Sequence, residues 1–368
     1  MKILVTGAHG FIGRNLSLGL AEQGHKVLTF GRDSDERGLF VMLREADAIC
    51  HLAGINRSQT KTEFEEVNCG LTRRLCRLAA QTGKSLPIVF SSSSQVGENE
   101  SHYAQTKQQA ENIVIDYGQR TGAPVKILRL PNVFGKWCRP NYNSVVATFC
   151  YNITRDLQID VHDASHMLRL IYVDDLVQDL ICMFKNGLMG KVYETVGPVY
   201  GTTVGELAQD LRHFHEGHDS LRVGKVGIGY HRALYSTYLS YLPVSRFSYR
   251  IPVHRDARGV FCEMLKTPAS GQVSFFTALP GVTRGGHYHH SKNEKFLVVK
   301  GRARFRFRQL LSGERYELDT SDVQPEIVET IPGWTHDITN IGTDEMVVML
   351  WANEIYDCAK PDTYTCPV

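Results

Sequence analysis

The chain has 368 residues, with 41 basic against 39 acidic side chains and a net charge of +2. That length fits about two domains, and the near-balance without a long basic run argues against a nucleic-acid-binding protein. Nine scattered cysteines with no CxxC pair fit idle thiols in a reducing compartment, and with no signal peptide and no run of ~18 apolar residues the expectation is a soluble, cytoplasmic protein without a membrane partner.

Taken from the N-terminus, Lys2–Thr6 reads as a strand, Phe11–Gln23 as a helix and Lys26–Phe30 as a second strand. A third strand is expected at Ala48–Leu52, flanked by helical stretches at Gly38–Ala46 and Lys61–Gln81. Pro87–Ser91 and Val125–Leu130 read as further strands, with a helix over Ser101–Arg120 between them. Such alternation predicts a Rossmann-like, doubly wound parallel sheet of α/β class. The stretch Tyr235–Pro252, rich in Tyr, Ser and Pro and without a clean period, reads as the connection between domains. Beyond it, short strands at Val273–Leu279, Glu294–Val299, Ala303–Arg308, Gln324–Thr330 and Met346–Trp351 suggest an all-β barrel or jelly roll. The expected domains are residues 1–245 and 246–368.

Thr6-Gly7-Ala8-His9-Gly10-Phe11-Ile12-Gly13 joins the first strand to the first helix. Gly7 permits the tight turn, Gly10 lets the backbone approach a diphosphate, and Gly13 lets the helix pack on the strand. The helix N-terminus, opening at Phe11 and Ile12, then faces the anion. The second strand runs into Arg32 and Asp33. An acid there would suit the ribose hydroxyls of NAD and an arginine the 2′-phosphate of NADP. Arg32 comes first, which favours NADPH. Tyr103 and Lys107 sit four residues apart on one predicted helix and so share a face. An ammonium there is expected to lower the phenol's pKa and make Tyr103 a usable acid/base.

These features resemble the extended short-chain dehydrogenase/reductase superfamily over about residues 1–240. His51-Leu52-Ala53-Gly54, Asn132-Val133-Phe134-Gly135 and Tyr172-Val173-Asp174-Asp175 match its further motifs. The resemblance implies Ser93 as catalytic serine, Tyr103 as acid/base and Lys107 as its helper. It places Leu52, Ala53 and Gly54 at the cofactor, and Asn132 and Arg169 at the nucleotide-sugar substrate. Sugar dehydratases of the superfamily carry an acidic pair after the serine or threonine. Here Ser94-Gln95 stands there, which disfavours water elimination and favours ketone reduction.

In the second half, Gly281, His287, His289, Glu294 and Gly301 match the first cupin motif position for position, and Gly333, His336 and Asn340 retain the second. Pro332 touches Gly333 directly, where the motif has an intervening residue. Three imidazoles and a carboxylate form a divalent metal site fit for Zn, Mn, Fe or Ni. Arg304, Arg306 and Arg308 alternate along one strand and face either water or a substrate diphosphate.

Order and motifs together resemble CapF-type bifunctional enzymes of capsular polysaccharide synthesis. The match extends to residues 131–144, 235–243 and 293–299, strings that no fold requires. It implies a UDP-linked 4-keto-6-deoxy-N-acetylhexosamine substrate, epimerised at C3 by the cupin domain and reduced at C4 with NADPH. The product would be UDP-2-acetamido-2,6-dideoxy-L-talose, a precursor of N-acetyl-L-fucosamine. Zinc and a homodimer are implied as well. His290, Lys295 and Tyr288 lie near the metal motif along the chain, without identifying a C3 acid or base. The rival expectations are a ketoreductase carrying a structural cupin, and a dinucleotide-sensing regulator.

Overall fold

The computed structural model describes the chain except residues 32–34, 59, 252–253, 257–258, 262–264, 266, 268–270 and 355–358, and the side chains of 254–256, 259–261 and 272. The expected Arg32–Asp33 site therefore lies outside the described residues. The chain divides into two compact units. The first holds Met1–Phe134, Tyr142–Ser144 and Met167–Thr202, and the second holds Gly135–Asn141, Val145–His166 and Thr203–Val368. The expected boundary at 245/246 falls inside the second unit.

In the first unit, β1 (Lys2–Thr6), α1 (Phe11–Glu22), β2 (Lys26–Phe30), α2 (Glu36–Glu45) and β3 (Ala48–His51) alternate as the pattern predicts. The single helix expected over 61–81 is instead α3 (Lys61–Phe64), a wide helical turn at Glu65–Gly70, and α4 (Leu71–Gln81). Then follow β4 (Ile88–Ser93), α5 (His102–Thr121), β5 (Val125–Leu130) and β6 (Asn132–Phe134). Helix α6 (Val145–Ile153) belongs to the second unit. β7 (Met167–Tyr172), α7 (Val173–Lys185), β8 (Tyr193–Glu194) and β9 (Val199–Thr203) complete the series.

Six parallel strands pair in the order β2-β1-β3-β4-β5-β8, and β6-β7-β9 form a small separate sheet. Both faces of the large sheet are covered, so neighbouring strand residues serve different cores. Leu4 joins Leu39, Leu43, Leu75 and Val114 on one side, while Ile3 and Val5 join Leu16, Leu20, Leu180 and Phe184 on the other. The strand order reverses between β1 and β3, and in such sheets that reversal opens a crevice at the strand C-termini.

The second unit contains α6, α8 (Val204–Ser220) and α9 (Gly229–Leu239). Helix α9 corrects the expectation of a plain connection at 235–252. Residues 233–239 are all buried, and tertiary burial outweighs the indifferent helix propensity of Tyr, Ser and Thr. The β strands follow: β10 (Ser248–Arg250), β11 (His254–Asp256), β12 (Gly259–Phe261), β13 (Gln272–Ala278), β14 (Thr283–Tyr288) and β15 (Glu294–Lys300). Then come β16 (Arg302–Gln309), β17 (Arg315–Ser321), β18 (Glu326–Glu329), β19 (Trp334–Asn340), β20 (Met346–Ala352) and β21 (Tyr364–Thr365). They build two five-stranded sheets, β10-β18-β15-β20-β13 and β17-β16-β19-β14-β21, with β11 and β12 paired apart. The paired neighbours recorded in both large sheets are antiparallel. On β16, Ala303, Phe305 and Phe307 are buried between more exposed arginines, as period-two patterning requires. No described helix is long and apolar enough to cross a membrane.

Candidate functional sites

The first site lies in the first unit, where the loops after β1 and β3 meet. Gly7 has φ +68°, and a Cβ there would lie 2.9 Å from the backbone of Ala53. A Cβ on Gly13 would lie 2.1 Å from the carbonyl oxygen of Gly7. Only glycine allows strand, loop and helix to close this tightly. Gly10 caps α1 without a side-chain hydrogen bond, and the first turn, with Phe11 and Ile12, holds no acidic residue. The helix end is thus ready for an anion, and the cradle fits a dinucleotide diphosphate.

Beneath the loops runs a buried polar strut. The Thr6 hydroxyl lies 2.7 Å from His51 Nδ1, and His51 Nε2 lies 2.9 Å from the Thr72 hydroxyl. Thr6 also accepts from the Ala53 N–H at 3.2 Å, which fixes the Leu52–Gly54 loop. Burial, with the Lys107 charge adding to it, pushes His51 down to about 3, so this imidazole is a neutral structural link.

Ser93 ends β4, and Tyr103 and Lys107 lie in the first turns of α5, which is capped by Ser101. The structure brings the three together. Tyr103 is hydrogen-bonded to Ser93. Burial raises the Tyr103 pKa, and the Ser93 bond only partly opposes that rise. This corrects the expectation of a lowered phenol. Lys107 directs its ammonium at the Ser91 carbonyl oxygen, 2.5 Å away, and burial lowers it to about 8 against the pull of Glu111. Glu111, fully buried one turn on, accepts from Ser92 at 2.5 Å, from Tyr193 at 3.1 Å and from Arg129 at 2.8 and 3.0 Å.

Sequence reasoning missed Asn68. It lies in the wide turn at 65–70, accepts from the Ile55 N–H at 2.9 Å, and donates to the Ile55 carbonyl and the Thr106 hydroxyl. It thereby ties the Gly54 loop to α5. A wide turn interrupting a helix is often a functional feature, but it leaves no trace in hydrophobic period. Asn132 and Arg169 fall on the adjacent strands β6 and β7. Asn132 is exposed, and Arg169 is 68% exposed with Glu98 3.7 Å away.

The second site lies in the second unit. His287, His289, Glu294 and His336 offer ligand atoms all within 4.8 Å of one another. His287 and His336 face each other across β14 and β19, just past a bulge at Gly285 and Gly286, with φ +100° and +71°. A Cβ on Gly285 would lie 2.9 Å from the His336 carbonyl, so glycine is needed for this register. His289 Nε2 is 3.2 Å from Glu294 Oε2, and its Nδ1 donates to the Asp362 carbonyl at 2.6 Å. Among the described residues neither buried ring nitrogen of His336 makes a hydrogen bond, and its Nε2 lies 3.6 Å from Glu294 Oε2. Burial holds His287 down at about 4, and it also lowers His336. Burial would raise Glu294, but the flanking imidazoles outweigh it and hold the carboxyl well below its usual range. Three imidazoles, two of them held down by burial, with an ionised carboxylate between them are the donor set a divalent ion such as zinc takes.

Neighbours along the chain separate in space. Lys295 leaves the cluster for Tyr249, to which it donates at 3.1 Å, and for an ion pair with Glu329. Tyr288 stacks on Tyr364 at 5.4 Å. Lys292 instead reaches Glu294, with 3.8 Å between ammonium and carboxylate. Of the β16 arginines, Arg304 pairs bidentately with Asp319 and Arg306 with Asp337, while Arg308 donates to the Pro367 carbonyl at 2.6 Å.

A glycine cradle at a sheet's switch point with a Ser–Tyr–Lys cluster beside it defines a nicotinamide-dinucleotide-binding domain of the dehydrogenase/reductase class. Residues 3–196 match the NAD dependent epimerase/dehydratase family, and residues 254–364 match the polysaccharide biosynthesis C-terminal domain. The chain belongs to the NAD dependent epimerase/dehydratase family, and its full length aligns with CapF-type proteins. It is 53% identical over 369 residues to a UDP-2-acetamido-2,6-beta-L-arabino-hexul-4-ose reductase of Pseudomonas aeruginosa, covering 100% of this chain and 99% of that one. The crystal structure of the capsular polysaccharide assembling protein CapF from Staphylococcus aureus matches over 100% of both chains, at 40% identity and a TM-score of 0.69. Protein CapI of Staphylococcus aureus is 28% identical over 238 residues, 50% of this chain and 70% of that protein.

Proposed function

We propose that the chain is a two-site enzyme acting on a UDP-linked 4-keto-6-deoxy-N-acetylhexosamine. The second unit, a cupin, epimerises C3, and the first unit then reduces the C4 ketone with NADPH. The product is UDP-2-acetamido-2,6-dideoxy-L-talose, on the way to UDP-N-acetyl-L-fucosamine for a surface polysaccharide. A cytoplasmic homodimer with one zinc ion per chain completes this reading. The observation that carries it is the pairing, in one chain, of the Ser93–Tyr103–Lys107 cluster with the four-donor cluster at His287, His289, Glu294 and His336. The full-length similarity to a hexul-4-ose reductase supports the substrate class.

Gly7, Gly10, Phe11, Ile12 and Gly13 would hold the dinucleotide diphosphate, and Leu52, Ala53 and Gly54 would border it. Arg32 would take the 2′-phosphate. When bound, NADPH supplies the hydride. Ser93 donates a hydrogen bond to the ketone oxygen, Tyr103 passes its phenolic proton to that oxygen as charge develops there, and Lys107 binds the ribose hydroxyls. A buried, protonated phenol suits this direction, because reduction needs an acid. Asn132 and Arg169 would hold the nucleotide-sugar. At the second site, a proton on C3 is acidified by the neighbouring ketone. When bound, the divalent ion supplies positive charge beside that carbonyl. His287, His289, Glu294 and His336 hold the ion.

The test is proton NMR of the 4-keto sugar nucleotide in D₂O with the enzyme and no NADPH. Exchange of the C3 proton for deuterium, followed by ketone loss when NADPH is added, is the expected result. NADPH oxidation without prior exchange would leave a ketoreductase with a structural β domain. No turnover at all would refute the proposal.

A further inference from the structure

We infer that Asp362, far from the ligands in sequence, is the positioning residue that pre-forms the four-donor site. The inference rests on the reading of His287, His289, Glu294 and His336 as metal ligands.

The link from His289 to Glu294 is only four residues long, and Asp362 organises it from outside. Its backbone carbonyl accepts from His289 Nδ1 at 2.6 Å. Its carboxylate accepts from the N–H groups of His290, Ser291 and Lys292 at 3.0, 2.8 and 2.6 Å, and from the Ser291 hydroxyl at 3.1 Å. Successive N–H groups converging on one carboxylate form a compact anion nest, so the turn is folded around a fixed negative charge. Asp362 itself has φ +39°. A non-glycine residue persists there only when its surroundings over-determine it, a pattern concentrated at functional sites.

The residues that follow continue the same clamp. Thr363 accepts from Lys292 Nζ at 2.8 Å. Tyr364–Thr365 pairs with β14 beside Tyr288 and His287, and the Cys366 N–H donates to the Gly286 carbonyl at 2.8 Å. An acceptor for the outer N–H of a ligating histidine fixes its tautomer and ring plane, so the inner nitrogen offers its lone pair to the ion. Asp362 thus aims His289 through its carbonyl and sets the span from His289 to Glu294 through its carboxylate.

The experiment measures Zn²⁺ affinity of the full-length chain by competition with a chromophoric chelator, and the visible spectrum of the Co²⁺-loaded protein. Wild type, Asp362→Asn and Asp362→Glu are compared. Asp362→Asn keeps the carbonyl that faces His289 but removes the charge around which the 290–292 turn is folded. It should weaken Zn²⁺ binding by about 10-fold, the lower end of the loss seen when an outer-sphere group is altered, and should shift the Co²⁺ bands. Asp362→Glu should recover part of the affinity, because the charge is restored. Unchanged affinity and spectrum in Asp362→Asn, with only the melting temperature of the metal-free form lowered, would mark Asp362 as a plain structural clamp and overturn the inference. Wild type that binds neither Zn²⁺ nor Co²⁺ would overturn the metal reading, and this inference with it. If Asp362→Asn does not fold, amide hydrogen exchange on metal-free wild type decides. The amides of His290, Ser291 and Lys292 should already be protected, and rapid exchange there would refute a pre-formed turn.

Discussion

Lys107 holds its ammonium 2.5 Å from the carbonyl oxygen of Ser91, at the end of the strand that also carries Ser93. One ammonium proton is committed to that carbonyl, and two remain for ribose hydroxyls. The lysine is therefore aimed by the strand end and not by Tyr103, one turn away on α5. Phe90 closes the other side, its ring centroid 4.5 Å from the ammonium.

The pH dependence of dinucleotide capture follows from this burial. Burial lowers Lys107 from 10.5 to about 8, and Glu111 opposes the shift. The charged form binds the cofactor ribose, so kcat/KM for NADPH, which reports the free enzyme, should fall as pH rises past about 8. Tyr103 contributes no loss in that range, because burial raises it from its ordinary value. Glu111→Gln removes the charge that supports the ammonium and should move the descending limb to lower pH. A steady-state pH series on both proteins checks this. A flat profile, or a limb unmoved in Glu111→Gln, would contradict the assignment.

Tyr103→Phe removes the proton donor and leaves the ring in place. Loss of a positioned general acid costs about 10²- to 10⁴-fold in rate. Dinucleotide affinity, set by the glycine cradle and Lys107, should stay within about threefold of wild type, a difference of less than 1 kcal/mol. Stopped-flow NADPH oxidation and a fluorescence titration separate the two quantities. Turnover retained in Tyr103→Phe would remove Tyr103 from the chemistry.

Much of the first unit is legible in the sequence because strand–helix alternation and the Gly7–Gly13 spacing are local signals. The region 61–81 shows the limit. Its amphipathic period runs on through 65–70, while the backbone widens there so that Asn68 can reach Ile55 and Thr106. Residues 229–239 lack helical period for the opposite reason, since every side chain from 233 to 239 is buried and no polar face marks that part of the helix. The four metal-type donors are readable from spacing. Asp362 is not, because its role depends on the C-terminal segment returning beside β14. The raised pKa of Tyr103 is hidden from the sequence for a related reason: sharing a helix face with Lys107 says nothing about the burial that dominates it.

Gly13→Ala tests the cradle. Its Cβ would lie 2.1 Å from the Gly7 carbonyl oxygen and 2.7 Å from Ala8 Cα. Both are backbone atoms, so relief requires α1 to move away from β1. We expect a destabilisation of about 1–3 kcal/mol and loss of dinucleotide binding. Gly24→Ala serves as the comparison: unlike Gly13 it has a positive φ, +74°, and its Cβ would meet nothing within 4 Å among the described residues, so it should cost only about 1 kcal/mol of backbone strain and leave binding unchanged. Thermal melts and dinucleotide titrations of both variants decide. Equal behaviour of the two would show that the close approach at Gly13 is not what shapes the cradle.

Metal removal should divide the two activities. His336 has both ring nitrogens buried without a hydrogen bond among the described residues, an arrangement that costs about 1–3 kcal/mol per unsatisfied group unless something binds there. His336→Ala removes one donor, and dialysis against a chelator removes the ion while leaving every side chain in place. Both treatments should abolish C3 proton exchange in D₂O. Neither should impair NADPH-dependent reduction of a substrate supplied already epimerised, because Ser93, Tyr103 and Lys107 all lie in the first unit. Zn²⁺ should restore exchange to the chelated wild type but not to His336→Ala. Exchange that survives exhaustive chelation, with metal content verified as absent, would assign the four donors a purely structural role. Reduction lost in parallel with exchange would show that the two sites do not act independently.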